Sequence, residues 1–304
     1  MTVLVIAVGF LHVALQAVLA GVVAFAPNAK LLGSTPSPTP MPEQLARRGA
    51  RVLHTEVGPP SATLSSWLLE PKQTRVKGTI VLLHGVRMDK RSLAPMAVAL
   101  SDAGYRTLLV DLRGHGESSG SFLTYGAVEV LDVSRVLDSL APEGTELGPV
   151  GVYGFSYGGA VALQLGSRDP RVKAVVAAAP FSTLDEVLGD YRRKYLPHAL
   201  DLLPDWWFRG ATRQAGSLAG FDADAAGPYG LIARSSARIL LLHGDADTQV
   251  PLRHSQMLAS ATLGRARLRV LSGATHETIP PDVSGVVRRE AVSWFDQALA
   301  PRAG

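Results

Sequence analysis

Cysteine is absent from this chain of 304 residues. Its absence excludes disulfide bonds, a thiolate nucleophile and any metal site that needs cysteine ligands. It does not identify the compartment, because a protein without cysteine suits an oxidising space as well as a reducing one. Charge is also sparse, with 18% charged residues against 47% hydrophobic ones. A chain of this length and composition can bury a sizeable core.

A concentrated basic surface is missing as well. The net charge is +4 and the sequence pI is about 9.5, but the Lys and Arg residues are scattered. The densest basic cluster, Arg192-Arg193-Lys194, holds three residues. Proteins that bind nucleic acids need basic side chains gathered on one face, so we expect no nucleic-acid partner. No zinc, phosphate-loop or dinucleotide motif occurs either, so we expect no cofactor and no metal.

The first long apolar run, Val3–Ala26, contains no charged residue. A helix of this length spans about 36 Å, which exceeds the roughly 30 Å hydrocarbon core of a bilayer. Three interpretations compete: a single-pass membrane anchor, a cleaved signal peptide ending in Ala24-Phe25-Ala26, and a buried helix. The lack of Lys and Arg before Lys30 and the position of Pro27 after the cleavage-like site argue against a signal peptide. We favour the anchor because of the length of the run. The side of the membrane stays open, and a secreted or periplasmic protein is the alternative.

Two neutral polar residues, His12 and Gln16, interrupt the apolar run. They are four positions apart and therefore share one face of a helix. Polar residues inside a membrane often have a function, but a helix–helix contact or simple tolerance of two neutral groups is the interpretation that we favour.

Prolines at positions 36, 38, 40 and 42 alternate with small residues after this helix. The alternation favours an extended, polyproline-like segment. We therefore divide the chain into an anchor or signal peptide at 1–30, a proline-rich linker at 31–50 and a folded domain at 51–304.

Within the folded domain, short apolar runs alternate with amphipathic stretches. Strands are predicted over residues 62–69, 79–84, 106–111, 149–154, 172–178, 238–243 and 267–271. Helices are predicted over residues 92–103, 125–140, 157–167, 252–263 and 282–299. Several strands are apolar throughout, which is typical of a mostly parallel sheet flanked by helices. The alternation predicts a doubly wound α/β domain, in which the first strand, 62–69, is antiparallel.

No strand is predicted between Phe181 and Ala237, and this stretch contains the dense aromatic group Trp206-Trp207-Phe208. An insertion of this length in a compact domain usually has a function. We expect an inserted helical lid at about 181–237 that covers a ligand site. Helices that simply pack on the body of the domain are the alternative.

The stretch VGVYGFSYGGAVALQL joins a predicted strand to a predicted helix through Gly154-Phe155-Ser156-Tyr157-Gly158. This is the pattern G-x-S-x-G in the strand–turn–helix setting that exposes a nucleophilic serine. The turn is so tight that the flanking residues must lack a Cβ atom. The N-terminus of the following helix stabilises negative charge. Ser156 is therefore the candidate nucleophile.

A serine hydroxyl needs a general base. His84 and His243 end strands in front of glycine, where a structural hydrogen bond is expected, and His254 is expected on a surface helix. Only His276 lies in a loop between the last predicted strand and the final helix, from which it can reach the carboxyl edge of the sheet. His276 is therefore the candidate base among the eight histidines at positions 12, 54, 84, 115, 198, 243, 254 and 276.

The stretch HGDADTQVP offers two carboxylates, Asp245 and Asp247, after a predicted strand. A carboxylate at this point would fix the tautomer of the catalytic imidazole and stabilise the imidazolium. It also gives the chain order serine, acid, histidine. The residues alone leave the choice between the two carboxylates open.

Five motifs together make residues 51–299 resemble the α/β-hydrolase superfamily: LLHG after a strand, DLRGHGESSG, GFSYGG, LLHGDADTQVP and GATHE. The chain is most similar to its monoglyceride-lipase-like and serine-aminopeptidase-like members and to a membrane-anchored branch. The resemblance implies an α/β-hydrolase fold, and the family pattern H-G-x-x-D-x-x-V-P implies that Asp247 is the acid. The pattern G-x-x-H-E likewise implies that His276 is the base. The resemblance further implies an oxyanion hole formed by the backbone N–H groups of Val86 and Tyr157.

Other polar residues near predicted strand ends have plainer interpretations. Asp111, Glu117 and Ser118 belong to a glycine-rich turn, where we expect a tight loop with local hydrogen bonds. Arg87 and Asp89 lie beside Val86, and we expect a solvated loop rather than contacts with substrate.

Taken together, these features predict a serine hydrolase that cleaves a carboxylic ester or thioester through an acyl-enzyme. The anchor and the aromatic insertion favour an apolar acyl substrate. A serine peptidase is the alternative, because GFSYGG also resembles the peptidases of the superfamily. A third interpretation is an inactive, membrane-tethered binding protein, since a fold does not determine a function.

Overall fold

The computed structural model describes residues 2–28, 38–140 and 146–300, and for residues 2–12, 199 and 201 it describes the backbone only. The described residues contain one eight-stranded sheet in the order β1-β2-β4-β3-β5-β6-β7-β8. Strand β2 is antiparallel to β1 and β4, and all other neighbours are parallel. The strands are β1 Arg51–Val57, β2 Ala62–Leu69, β3 Thr79–Leu83, β4 Arg106–Val110, β5 Val150–Phe155, β6 Val172–Ala178, β7 Arg238–Gly244 and β8 Ala266–Leu271.

Helices cover both faces of this sheet. A 3₁₀ turn, Lys90–Leu93, leads into α3, and a second 3₁₀ turn, His198–Leu202, precedes α7. The α-helices are α1 Thr2–Ala24, α2 Glu43–Ala46, α3 Ala94–Asp102, α4 Glu129–Leu140, α5 Tyr157–Arg168, α6 Leu184–Tyr195, α7 Asp205–Ala219, α8 Tyr229–Ile232, α9 Arg253–Ala261 and α10 Val286–Ala298.

The central strands lie between two apolar layers, which explains why their sequences do not alternate. Every residue of β3, β4 and β5 is buried. In β3, Val81 and Leu83 face one hydrophobic cluster while Ile80 and Leu82 face the other. Burial of both faces is characteristic of a parallel strand covered by helices. The predicted mostly parallel α/β sheet is therefore confirmed, and β2 is antiparallel as predicted.

The first strand of the sheet was not predicted. Strand β1 lies at the edge, where Arg51 is the register partner of Leu68 and Val57 that of Ala62. Only two of its seven residues are buried. An edge strand with one solvated face carries no continuous apolar run, so its sequence resembles a loop.

The insertion between β6 and β7 is helical, as predicted. It contains α6, the second 3₁₀ turn, α7 and α8, and no strand occurs among its described residues. Trp207 is almost fully buried, whereas 67% of Trp206 is exposed. Trp207 therefore packs in the interior, whereas Trp206 lies on the surface.

Helix α1 packs against α7 of this insertion. The amide Nε2 of Gln16 donates to the carbonyl oxygen of Trp207 at 2.8 Å. A Cβ atom on Gly210 would lie 2.6 Å from that Nε2 atom, so glycine permits the close approach. The expected helix–helix contact is confirmed for Gln16, while the side chain of His12 lies outside the described residues. Where side chains are described, no helix is long and apolar enough to cross a membrane.

The chain that leaves α1 pairs with the loop after β4. Leu123 N donates to Ala24 O at 2.8 Å, and Ala26 N donates to Ser121 O at 3.0 Å. Asn28 N then donates to the carbonyl oxygen of Gly114 at 2.9 Å. This segment is therefore bonded to the body of the folded domain rather than separated from it.

The predicted linker also contacts the body over its described part. Residues 29–37 lie outside the described residues. Beyond them, Thr39 N donates to Glu117 Oε1 at 2.9 Å, and Leu45 of α2 is fully buried. The expectation of an extended spacer up to residue 50 is corrected here, because Leu45 supplies an apolar side chain that packs on the domain.

Candidate active site

Ser156 lies at the sharp turn between β5 and α5. Its backbone angles are φ 52° and ψ −116°, a conformation that is rare for a residue with a side chain. A Cβ atom on Gly154 would lie 2.1 Å from Gly158 O, and one on Gly158 would lie 2.4 Å from Leu83 O. Both glycines are therefore required by the space available, as the pattern predicts.

His276 lies in the loop after β8 and its ring faces the serine. Its Nε2 atom is 3.0 Å from Ser156 Oγ, and its Nδ1 atom is 2.7 Å from Asp247 Oδ2. Since Asp247 can only accept when ionised, Nδ1 carries the proton and Nε2 is free to accept the serine proton. The structure thus brings Ser156, His276 and Asp247 into one hydrogen-bonded chain.

Asp247 is oriented by its own loop. Its Oδ1 accepts hydrogen bonds from Gln249 N at 2.9 Å and Val250 N at 2.8 Å. Burial tends to raise the pKa of Asp247, but the hydrogen bonds and the nearby imidazoles outweigh it and hold that pKa below its usual value. Asp245, the other carboxylate considered, is exposed and accepts from Gly273 N at 2.6 Å. Of the two, only Asp247 contacts His276.

The amides of Val86 and Tyr157 come from two segments that touch. Tyr157 begins α5, so its N–H group has no partner within the helix. The start of α5 packs closely against the end of β3. A Cβ atom on Gly158 would lie only 2.5 Å from His84 O. Val86 follows two residues later. Both predicted oxyanion donors therefore belong to segments in contact beside Ser156.

The insertion contacts both sides of this site. Lys194 Nζ of α6 donates to Thr248 Oγ1, beside Asp247, at 2.9 Å. On the other side, the ring of Phe221 lies 5.8 Å from the ring of Tyr125, which itself lies 5.6 Å from Tyr157. Ser156 is 4% exposed and His276 is 6% exposed. The Ser156 side chain is therefore enclosed.

Two of the other histidines have the structural role that was predicted. His84 Nε2 accepts from Leu112 N at 3.0 Å, so its Nδ1 atom carries the proton toward Gly85 O at 2.8 Å. His243 bonds Ser255 Oγ and the carbonyl oxygen of Val250, both at 2.7 Å. Neither imidazole contacts Ser156.

His115 packs against His84 and Tyr157. Its ring lies 5.0 Å from that of His84 and 6.1 Å from that of Tyr157. Its Nδ1 atom bonds Arg113 O at 3.0 Å. Burial lowers the pKa of His84 to about 4 and that of His115 to about 4. Both rings are therefore neutral at pH 7.

These two histidines predict a pH-dependent stability. Between about pH 6.5 and pH 4 the unfolded chain protonates both, while the folded chain, with pKa values of about 4, does not. The free energy of unfolding should therefore fall as the pH is lowered through this window, by up to about 1.4 kcal/mol per pH unit for each histidine. In urea unfolding, His115→Leu should reduce the slope of the free energy of unfolding against pH by the contribution of one histidine. An unchanged slope in the variant would contradict the assignment.

The prediction that His254 lies on the surface is wrong. It is fully buried, because its ring joins α9 to the insertion. Its Nδ1 atom lies 2.9 Å from Ser182 Oγ, and its Nε2 atom lies 2.8 Å from Asp190 Oδ2. Ser182 N also bonds Nδ1 at 3.1 Å. This second serine–histidine–aspartate chain is a structural joint, since Ser182 is fully buried.

The glycine-rich turn after β4 differs in part from its prediction. The expected local bond is present, because Ser118 Oγ donates to Asp111 O at 2.7 Å. However, Asp111 and Glu117 also bind the ammonium group of Lys90, which is fully buried. Asp89 bonds Arg91 rather than facing solvent alone. Lys90 was missed, because nothing in its neighbourhood distinguishes a buried lysine from a solvated one.

Comparisons with known proteins find similar sequences and a similar fold. The family described as serine aminopeptidase, S33, matches residues 74–224. An uncharacterised protein of Bacillus subtilis, YqkD, is 27% identical over 201 residues. The match covers 65% of this chain and 64% of YqkD, which is less than two thirds of that relative. A monoacylglycerol lipase of Mycolicibacterium smegmatis is 24% identical over 73% of this chain and 89% of its own. A solved esterase of Pyrococcus furiosus superposes with a TM-score of 0.67 at 20% identity, over 88% of this chain and 98% of that one.

Proposed function

Since the chain belongs to the α/β-hydrolase superfamily of serine hydrolases, we propose that it cleaves a carboxylic ester or thioester of an apolar acyl group through an acyl-enzyme on Ser156. The observation that carries this proposal is the hydrogen-bonded chain from Ser156 Oγ through His276 to Asp247. A nucleophile within reach of a base that a third group orients is the arrangement that acyl transfer requires.

In the first half-reaction, His276 Nε2 accepts the proton of Ser156 Oγ as that oxygen attacks the acyl carbon. Asp247 stabilises the imidazolium that forms, and it remains ionised. The tetrahedral intermediate then collapses, its bond to the leaving alcohol or thiol breaks, and His276 returns the proton to the leaving atom. Water, deprotonated by His276, hydrolyses the acyl-enzyme in the second half-reaction and releases the acid.

The oxyanion of each tetrahedral intermediate would accept hydrogen bonds from the amides of Val86 and Tyr157. The close packing of Gly158 against the end of β3 supports this pairing of donors. The helix that starts at Tyr157 adds the positive end of its dipole. Removal of one such donor typically lowers kcat by about 10² to 10³.

We infer that the insertion at 181–237 is a lid. The small exposure of Ser156 and His276 supports this role, since neither side chain is open to a bulky substrate. The contact of Lys194 with Thr248 supports it as well, because it ties the insertion to the loop of Asp247. Substrate entry therefore requires the insertion to move.

The aromatic rings packed around Tyr125, which itself lies against Tyr157, support the proposed substrate class. Tyr125 lies against Phe181 and Phe221, with ring centroids 6.3 Å and 5.8 Å away. Aromatic rings favour an apolar acyl chain over a charged peptide. The names of two similar proteins, a lipase and an esterase, point in the same direction. A peptidase is the second candidate, which the matching aminopeptidase family favours.

A rate comparison separates these candidates. We expect p-nitrophenyl esters of graded acyl length to be hydrolysed faster than aminoacyl p-nitroanilides, with a preference for chains longer than acetyl. Preference for the anilides would replace the esterase by a peptidase. Absence of both reactions in folded protein would favour an inactive binding protein.

We also propose that α1 anchors the protein to a membrane. The uncharged run of residues 3–26 supports the anchor. So does the outer face of α1, where Val13, Val18 and Val22 are 60%, 64% and 68% exposed. The bonds that join Ala24 and Ala26 to the body favour retention of the helix over its cleavage.

Sedimentation with phosphatidylcholine vesicles tests the anchor. The full chain should bind, and Val18→Glu should weaken binding, because it places a charge on the exposed face of α1. Val52→Glu is the matched control, since Val52 is 50% exposed on the edge strand β1. Equal binding of the two variants would count against anchoring through this face.

A further inference from the structure

A fully buried lysine lies behind the loop that carries Val86. Lys90 Nζ is 2.5 Å from Asp111 Oδ2, 2.6 Å from Glu117 Oε2 and 3.1 Å from Ser65 Oγ. These three acceptors match the three N–H donors of an ammonium group. The ring of Trp67 lies 4.8 Å from Nζ and adds a cation–π contact. The lysine is therefore fixed rather than merely enclosed.

Asp111 holds the backbone of the same residue. Its Oδ1 accepts from Lys90 N at 2.7 Å, while its Oδ2 also accepts from Glu117 N at 2.9 Å. A Cβ atom on Gly116 would lie 2.3 Å from Oδ2, so the turn after β4 is shaped around this carboxylate. Burial raises the pKa of Asp111, and the Lys90 ammonium opposes that rise.

The other end of the loop is fixed to the same turn. His84, two residues before Val86, accepts a hydrogen bond from Leu112 N at 3.0 Å. Between the two fixed ends, Arg87 has φ 60°, a value that a residue with a side chain keeps only when its surroundings impose it. Residues 84–90, which we term the oxyanion loop, are thus held at both ends by Asp111 and Leu112.

We propose that Lys90 and Asp111 are positioning residues that hold the Val86 amide in its donor orientation. This inference rests on the proposed function. Donors that are fixed before the reaction stabilise the oxyanion without reorganising as charge develops. Stability alone does not explain the cluster, because a buried ion pair can often be replaced by apolar residues without loss.

The double variant Lys90→Met/Asp111→Asn tests the proposal without leaving a fully buried charge unpaired, since the remaining carboxylate, Glu117, is 24% exposed. With p-nitrophenyl butyrate, kcat should fall by about 10- to 100-fold while KM changes by less than about threefold. The Ki of a trifluoromethyl ketone, which forms a tetrahedral adduct on Ser156, should rise by the same factor as kcat falls. A purely structural role would not make these two quantities change together.

The matched control is Arg113→Met/Asp132→Asn. This ion pair is equally buried, with Arg113 Nε 2.7 Å from Asp132 Oδ2, and Arg113 belongs to the same turn. Within the described residues, the side chains of this pair form no hydrogen bond with the oxyanion loop, since Arg113 bonds Asp132 and Pro60 O. The kcat and Ki should therefore stay within about threefold of the wild type. Should the Lys90 variant fail to fold, Glu117→Gln is measured instead, since that side chain is 24% exposed. It should show a smaller loss of kcat at constant KM.

The outcomes separate this inference from the function on which it rests. Wild-type turnover that Ser156→Ala abolishes, combined with unchanged kcat in a folded Lys90 or Glu117 variant, overturns the positioning role alone. An equal loss in the Arg113 control also overturns it. Absence of Ser156-dependent turnover in the wild type overturns the proposed function and this inference together.

Discussion

Replacing Ser156 by Ala lowers kcat for hydrolysis of a p-nitrophenyl ester by a factor of about 10⁶. The residual rate comes from binding and from the oxyanion donors, which remain in place when the hydroxyl is removed. The expectation depends on the 3.0 Å contact between Ser156 Oγ and His276 Nε2. Initial rates under saturating substrate measure it, with the unfolding temperature recorded for each variant.

The second serine–histidine–aspartate chain provides the matched control. Ser182→Ala removes a hydroxyl that also bonds a histidine, at 2.9 Å, but that is fully buried. Its kcat should stay within about threefold of the wild type. Comparable losses in the Ser156 and Ser182 variants would contradict the choice of nucleophile. So would a folded Ser156→Ala enzyme that keeps more than about one hundredth of the wild-type kcat.

Asp247→Asn should lower kcat by about 10⁴ at pH 7.5. An asparagine amide can donate to His276 Nδ1, which would leave the proton on Nε2, so that the imidazole could no longer accept from Ser156. The loss therefore arises from the wrong tautomer. The same ester assay measures it, and KM should change little because both carboxylate oxygens of Asp247 are bonded to His276 and to its own loop.

Asp245→Asn is the control for this substitution. Asp245 belongs to the same loop, but it is exposed and bonds Gly273 N rather than His276. Its kcat should stay within about threefold of the wild type. A larger loss in the Asp245 variant than in the Asp247 variant would reverse the assignment of the acid.

The parallel sheet could be predicted because burial on both faces leaves a strong local signal. Strand β2 begins and ends at the predicted residues, Ala62 and Leu69, and β6 also agrees at both ends. The helix predicted from residue 125 begins instead at Glu129. Tyr125, with φ 53°, and Gly126, with φ 103°, hold the preceding turn, and a propensity pattern does not detect such a turn.

The candidate nucleophile and base could be chosen from the sequence because their positions follow from chain order. Ser156 follows a strand and precedes a helix, and His276 follows the last strand, so both reach the same edge of a parallel sheet. The choice of Asp247 over Asp245 needed the family pattern. In the structure, the backbone amides of Gln249 and Val250 turn the Asp247 carboxylate toward His276.

The buried polar joints could not be predicted, because their partners are distant in the sequence. Lys90 meets Asp111 from 21 residues away, and His254 meets Asp190 from 64 residues away. Local sequence does not distinguish a lysine that is paired in the interior from one that is solvated. A helix contact was expected for Gln16, but its partner in α7 could not be predicted, since Gln16 and Trp207 are 191 residues apart.

Covalent labelling of Ser156 tests its assignment as the nucleophile most directly. A fluorophosphonate should add once to the folded wild-type chain, and peptide mass spectrometry should locate the adduct on Ser156. The Ser156→Ala variant should remain unlabelled, and Asp247→Asn should react far more slowly. Equal labelling of wild type and Ser156→Ala, an adduct on another serine, or no adduct on folded wild-type protein would contradict the assignment of Ser156 as the nucleophile.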